Sequence, residues 1–210
     1  MQYITFYNGK FTIPQNIPVT DREKFEEHIR KAYKVNRKFW KMNVLIKVKL
    51  IYSRADFNRD WGGTTRKWNC AFTSDQKVIV IFAPSVFGRL TDHKPSEYSQ
   101  ILTHEMAHIF YMNFVSTYTP VWLGEGLAMY VAGQGKRYRG KISGKYLRYS
   151  FTKKDLGESD KDARQFYRNS YLSVYLLIKK RGVRAIMNFL KSYRKHRTEE
   201  AYITLYKKFR

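Results

Sequence analysis

Strand-like patterns in this 210-residue chain end near residue 82, and the patterns that follow them are helical. Residues 2–13 alternate apolar and polar side chains around Asn8-Gly9, a pair that is typical of a β-hairpin turn. Residues 43–52, 67–73 and 77–82 predict three further strands. A chain with its strands grouped in one half and its helices in the other is expected to form an α+β fold, here with a small, mostly antiparallel sheet.

Helical patterns occupy most of the remaining chain. Thr20 and Glu23 are spaced as a capping box, which predicts a helix over residues 21–41. Residues 56–66, with Gly62-Gly63, are expected to form a loop, and residues 133–160 a long excursion rich in Gly, Lys, Arg and Ser. The other predicted helices cover residues 95–116, 120–132, 163–180, 183–193 and 198–209, with Gly182 as a stop signal.

Composition limits the class of protein. Hydrophobic residues make up 43% of the chain, which excludes disorder in bulk, and the single cysteine, Cys70, cannot form an internal disulfide. Residues 1–10 lack the pattern of a signal peptide, and no run approaches the roughly 18–20 apolar residues that a membrane-spanning helix needs. We therefore expect a soluble, cytoplasmic protein that folds as one unit over residues 1–210.

The formal net charge is +23, from 40 basic and 17 acidic residues. Such a charge attracts polyanions, either nucleic acid or an anionic surface. Because Lys and Arg are dispersed and form no known DNA-binding motif, this binding is expected to be non-specific. The expected contact surface is the pair of C-terminal helices, through Arg184, Lys191, Arg194, Lys195, Arg197, Lys207, Lys208 and Arg210.

The segment His104-Glu105-Met106-Ala107-His108 carries the strongest chemical signal. Residues four apart share a helix face, so the two imidazoles can hold one metal ion from successive turns. Glu105 can then hold the metal's water without binding the metal itself. The alternative is a pair of helix-face histidines beside an incidental glutamate.

Glu125 lies in a second apolar helical segment, residues 120–130. A carboxylate in such surroundings is costly without a partner, and a metal ion is the partner that the preceding histidines suggest. If this helix runs back beside the first, two histidines, one glutamate and an open water position form the usual set of a catalytic zinc site.

These two segments, the His-Glu-x-x-His helix and the Pro-x-Trp-Leu-x-Glu-Gly-x-Ala-x-Tyr helix, resemble the gluzincin metallopeptidases, in particular the peptidase MA-like superfamily. The resemblance is strong over residues 97–131 and weaker over residues 43–82 and 163–182. It implies a zincin-like fold, with a sheet-containing upper lobe at about residues 1–90, a helical lower lobe at 91–210 and a zinc cleft between them. It also implies zinc as cofactor and hydrolysis of peptide bonds in a peptide or protein substrate.

The resemblance assigns roles to individual residues. His104, His108 and Glu125 correspond to the zinc ligands and Glu105 to the general base. Tyr167 corresponds best to the side chain that stabilises the tetrahedral oxyanion, with Tyr171 as second choice and ordinary packing tyrosines as the alternative. Thermolysin-like enzymes carry an aspartate four residues after the third ligand, whereas this chain has Met129 there.

Other interpretations remain open from the sequence. The strand around residues 68–72 is either an edge strand that pairs with an extended peptide or an internal strand without a ligand. The whole chain is expected to be a metallopeptidase, with a catalytically silent zincin-like binding protein, a basic DNA-associated protease and a pure nucleic-acid binder as alternatives.

Overall fold

The computed structural model describes residues 3–74, 77–115, 121–141, 160–196 and 207. Contacts divide the chain into two compact units, Met1–Phe110 and Tyr111–Arg210. The functional division at residue 90, which the family resemblance implies, stays a prediction. In the described part of the chain, no helix is both long enough and apolar enough to cross a membrane.

A five-stranded mixed sheet forms the centre of the first unit. Its strands are β1 (Ile4–Tyr7), β2 (Lys10–Thr12), β3 (Ile46–Ile51), β4 (Ala71–Thr73) and β5 (Val78–Phe82), in the order β2-β1-β3-β5-β4. Strands β3 and β5 are parallel, and the other three pairings are antiparallel. Every residue of β5 is buried, as expected for an inner strand. The predicted α+β class and the small sheet are therefore confirmed.

The predicted hairpin is also confirmed. Asn8 and Gly9, at the turn between β1 and β2, have φ values of 47° and 88°. A two-residue turn with positive φ at both positions matches the right-handed twist of the two strands that it joins. Asn and Gly tolerate this backbone region better than other residues, which is why the pair is readable in the sequence.

Helix α1 (Val19–Trp40) has an apolar face directed into the core of the first unit. Its buried apolar residues recur at helical spacing: Phe25, Ile29, Ala32, Tyr33 and Trp40. The capping-box prediction is wrong, because the helix already begins at Val19 after Pro18, and no side chain caps it. The buried Asp21 carboxylate instead accepts hydrogen bonds from the backbone N–H and hydroxyl of Ser85, at 2.9 and 2.8 Å.

The predicted loop at residues 56–66 is largely helical. Helix α2 (Arg54–Trp61) is capped by the Ser53 side chain, which accepts from the N–H of Asp56, and it ends at Gly62 with φ 84°. The glycine pair therefore marks a helix end. Helix α2 buries Phe57, whose ring stacks on Phe82 with centroids 4.7 Å apart.

Strand β4 is shorter than predicted. The carbonyls of Lys67 and Asn69 accept hydrogen bonds from the Arg54 guanidinium, at 3.5 and 2.8 Å. These acceptors are thus engaged by a side chain in place of a neighbouring strand.

The segment after β5 forms a further short helix, α3 (Pro84–Leu90), with Pro84 in its first turn.

The remaining helices follow the sequence prediction closely. A 3₁₀ turn at Pro95–Glu97 leads into α4 (Tyr98–Val115), and α5 (Val121–Val131) and a 3₁₀ turn at Lys136–Lys141 come next. Helix α6 (Asp160–His196) is interrupted at Gly182, whose φ of 80° and ψ of 160° are not helical, as its predicted role as a stop requires. The predicted helix at 198–209 and most of the predicted excursion at 133–160 lie outside the described residues.

Candidate metal centre

Helix α4 carries His104, Glu105 and His108, and hydrogen bonds at the preceding residues of the helix fix its position in the first unit. The buried Tyr98 hydroxyl donates to the carbonyl of Phe82, at 3.0 Å. The Asn36 side-chain amide, on α1, donates to the carbonyl of Thr103, at 3.0 Å. The residue before the first histidine is therefore tied to α1, and the first residue of α4 is tied to the end of β5.

The two histidine rings face each other across one turn of α4. Their Nε2 atoms are 3.1 Å apart, and the ring centroids are 4.8 Å apart with an interplanar angle of 75°. His104 is buried and His108 is half-buried. The sequence spacing predicted a shared helix face, and the structure brings the two ring nitrogens to it.

Glu125 on α5 is the third member of a group of side chains that could hold a metal ion. One ligand atom from each of His104, His108 and Glu125 can be chosen so that all lie within 4.8 Å of one another. The carboxylate is half-buried, and eight other residues of α5 are buried: Trp122, Leu123, Gly124, Gly126, Leu127, Ala128, Met129 and Val131. Two neutral imidazoles and a carboxylate are a donor set suited to a divalent metal ion.

Glycines on both sides of Glu125 have unequal surroundings. A β-carbon at Gly124 would lie 3.4 Å from the Tyr111 ring, which is an ordinary contact. A β-carbon at Gly126 would lie 2.6 Å from Val174 Cγ2 and 2.8 Å from the carbonyl carbon of Ser170, and closer still to the Ser170 oxygen. Only glycine at position 126 therefore lets α5 pack against α6 at its observed distance.

Thr73, the last residue of β4, contacts Glu105. Its Oγ1 lies 2.9 Å from Glu105 Oε2 and 3.0 Å from the Glu105 carbonyl oxygen, so its proton can be donated to either acceptor. This contact joins residues 32 positions apart, and no sequence signal indicated it. It fixes the carboxylate of the predicted base against the edge of the sheet, since β4 is the last strand of the described order; of the two alternatives that the sequence left open for this strand, the structure shows the edge position.

Cys70 is buried close to this carboxylate. Burial, and next the negative charge of Glu105, raise the pKa of the Cys70 thiol well above its usual range, against a smaller lowering by Arg54. The thiol is therefore neutral near pH 7. Cys70 is a buried packing residue, and it does not belong to the His–His–Glu group.

The two predicted oxyanion donors differ in their surroundings within the second unit. Tyr171 is fully buried, and its hydroxyl accepts a hydrogen bond from Arg139 Nε at 2.7 Å. Burial raises the pKa of this hydroxyl, partly offset by Arg139. Tyr167 is half-buried and packs against the cluster of Met129, Tyr171 and Leu172. The structure thus places Tyr171 in the core and leaves part of Tyr167 exposed.

Met129 occupies the position where thermolysin-like enzymes carry an aspartate, and the structure explains the apolar residue. Its side chain is buried against Tyr171 and Leu172, where a carboxylate would lose its hydration.

Comparisons with family models, with curated proteins and with solved structures gave no match to this chain.

Proposed function

We propose that this chain is a zinc-dependent metallopeptidase with a zincin-like fold, in which His104, His108 and Glu125 hold the metal. The observation that carries the proposal is the convergence of two imidazoles and one carboxylate within 4.8 Å. Two histidines and one glutamate are the protein ligands of a common class of catalytic zinc site, which keeps a fourth position open.

The separation of the two histidines is compatible with zinc. Zinc–nitrogen bonds are about 2.0–2.1 Å long, so two imidazoles on one tetrahedral zinc have nitrogens roughly 3.3–3.4 Å apart. The observed Nε2–Nε2 distance is 3.1 Å, and a small rotation of either ring covers the difference. The donor set and its spacing therefore fit zinc.

The chemistry is then divided between the metal and the chain. When bound, zinc supplies a Lewis acid that polarises the scissile carbonyl and makes water acidic near neutral pH. Glu105 accepts the proton of the attacking water and passes it to the leaving amine as the peptide bond breaks. Thr73 acts as a positioning residue, because its hydroxyl holds the Glu105 carboxylate in one orientation.

Tyr167 is the proposed donor to the oxyanion of the tetrahedral intermediate. Such a donor must reach the substrate, and the partial exposure of Tyr167 is compatible with that role. The full burial of Tyr171 favours a structural role for it.

The direct test is metal analysis combined with a cleavage profile on a peptide library, for the wild type and the Glu105→Gln variant. The wild type should hold one zinc per chain and cleave peptides. The variant should keep zinc and lose activity by about 10²-fold or more, because an amide cannot accept the proton.

Each alternative has its own signature in the same experiment. Zinc without any cleavage by the wild type would indicate a catalytically silent binding protein. An active Glu105→Gln variant would remove Glu105 as the base. The wild-type chain is purified without chelators and then supplied with zinc. If it still holds no zinc, the proposed site is rejected.

A further inference from the structure

A groove with a cavity volume of about 670 Å³ opens on the first unit, at residues that the metal centre does not use. It lies between the C-terminal half of α1, the β1–β2 turn and the residues that follow α1. Its lining residues are Phe6, Asn8, Gly9, Arg30, Tyr33, Lys34, Arg37, Lys38, Lys41, Met42 and Asn43.

The charge of this groove has one sign. Five of its eleven lining residues are Lys or Arg, and none is Asp or Glu. All five basic side chains are exposed. The chain has no acidic residue anywhere from His28 to Ala55, so the neighbouring sequence supplies no compensating carboxylate.

Among the residues that the structure describes, four of the five cations have no carboxylate partner. Arg30 is engaged, because it pairs with Glu26 at 3.5 Å, donates to the carbonyl of Gly9 at 3.2 Å and lies over the Phe11 ring at 4.5 Å. In the described part of the chain, no acidic side chain forms a salt bridge with the other four, Lys34, Arg37, Lys38 and Lys41. We call these four residues the basic row.

The basic row has a regular geometry. Its four members lie four, seven, eight and eleven residues after Arg30 in the sequence. This spacing places all five cations on one side of the helix. At about 1.5 Å of rise per residue, Arg30 to Lys41 covers roughly 16 Å. Phosphates along one strand of duplex DNA rise by about 3.4 Å each, so roughly five phosphates face this length.

The helix end does not cancel this attraction. The C-terminus of α1 carries a partial negative charge of about half an electron. Arg37 and Lys38 lie in the last turn, and Lys41 follows immediately with φ 55°. Three full positive charges therefore outweigh the helix dipole at that end.

We propose that this groove binds the sugar–phosphate backbone of nucleic acid, without reading base sequence. The linear spacing of the basic row matches a strand of phosphates, whereas an anionic membrane is a flat surface that requires no concave lining. The exposed side chains of Asn8 and Asn43, which also line the groove, add neutral polar groups for phosphate oxygens. This site lies in a different part of the chain from the C-terminal helices that the sequence suggested.

The test compares two variants with equal net charge. The groove variant changes Lys34, Arg37, Lys38 and Lys41 to Gln. The control variant changes four exposed cations of α6 to Gln: Lys179, Arg181, Arg184 and Lys191. Each removes four charges from +23, so a general charge effect would weaken both equally.

Binding is measured with two fluorescent 20-base-pair duplexes of unrelated sequence, at several salt concentrations. For four phosphate contacts, log K of the wild type should fall against log salt with a slope of about −3.6. The groove variant should lose most of this slope and at least about 10-fold in affinity at 0.1 M salt, with both duplexes. The control variant should stay within about 3-fold of the wild type.

Several results would overturn the proposal. These are equal losses in the two variants, a larger loss in the control, or a strong preference for one duplex. Retained DNA binding by the groove variant, with loss of binding to phosphatidylserine vesicles or to an acidic protein, would reassign the groove to that partner.

A second measurement uses only the wild type, so it tests the proposal even if the groove variant does not fold. In the wild type, bound duplex should protect the amines of Lys34, Lys38 and Lys41 from acetylation, relative to Lys179 as internal reference. Equal modification with and without duplex would reject the site. Zinc content should be the same in all folded variants, so this proposal and the metallopeptidase proposal fail independently.

Discussion

Replacement of Gly126 by alanine tests whether close packing beside Glu125, the proposed metal ligand, depends on the absence of a side chain. The new β-carbon would lie 2.6 Å from Val174 Cγ2 and 2.8 Å from the Ser170 carbonyl carbon. Ordinary carbon contacts need about 3.5 Å or more, so α5 and α6 must separate by nearly 1 Å. Ser170 contributes backbone atoms, which cannot rotate away as a side chain can.

The expected loss of stability follows from two opposing effects. Overpacking of a close contact costs about 1–3 kcal/mol, and a backbone clash belongs at the upper end of that range. Alanine returns about 1 kcal/mol of helix propensity relative to glycine. The net destabilisation is therefore about 2 kcal/mol, which lowers the Tm of a chain of this size by roughly 4–8 °C.

Thermal and urea unfolding of the purified protein measure this effect, and a zinc titration reports on Glu125. Gly126→Ala should weaken zinc binding as well as stability, because the proposed ligand Glu125 is the preceding residue. Val174→Ala added to Gly126→Ala should restore little, since it leaves the Ser170 backbone contact in place.

Gly124→Ala is the matched control on the other side of Glu125. Its β-carbon would meet the Tyr111 ring at 3.4 Å, so the variant should be neutral or slightly more stable than the wild type. A Gly126→Ala protein as stable as the wild type, or a Gly124→Ala protein that is the less stable of the two, would refute the packing explanation.

Three further predictions concern the metal centre. His104→Ala and His108→Ala should each lose zinc in metal analysis, and full occupancy in either would remove that residue from the ligand set. Thr73→Val should lower kcat by roughly 10-fold, with KM and zinc content unchanged. Thr73→Ser keeps the hydroxyl and should retain activity. An unchanged kcat in Thr73→Val would show that the contact between Thr73 and Glu105 is only structural. Tyr167→Phe should lower kcat by about 10²–10³-fold, while Tyr171→Phe should mainly lower Tm through loss of its bond to Arg139. If the kinetic loss follows Tyr171→Phe instead, the two roles must be exchanged.

Local signals explain which parts of the fold were predictable. The Asn8-Gly9 turn and helix α1 each depend on patterns among neighbouring residues, and the predicted hairpin and the helix predicted over residues 21–41 are both confirmed. Helix α2 was missed because Gly62 is equally compatible with a loop and with a helix end. The choice depends on the capping bond from Ser53 and on burial of Phe57, which are properties of the folded chain.

The same distinction applies to the candidate site and to the groove. The sequence by itself determined that His104 and His108 share one face of a helix, because four residues make about one turn. It also placed a row of cations along α1. Only the tertiary structure decided that Thr73 meets Glu105, that Gly126 faces Ser170 and that the basic row borders a cavity. Those contacts join residues far apart in the chain, and their geometry depends on strand register and helix packing, which no local pattern encodes.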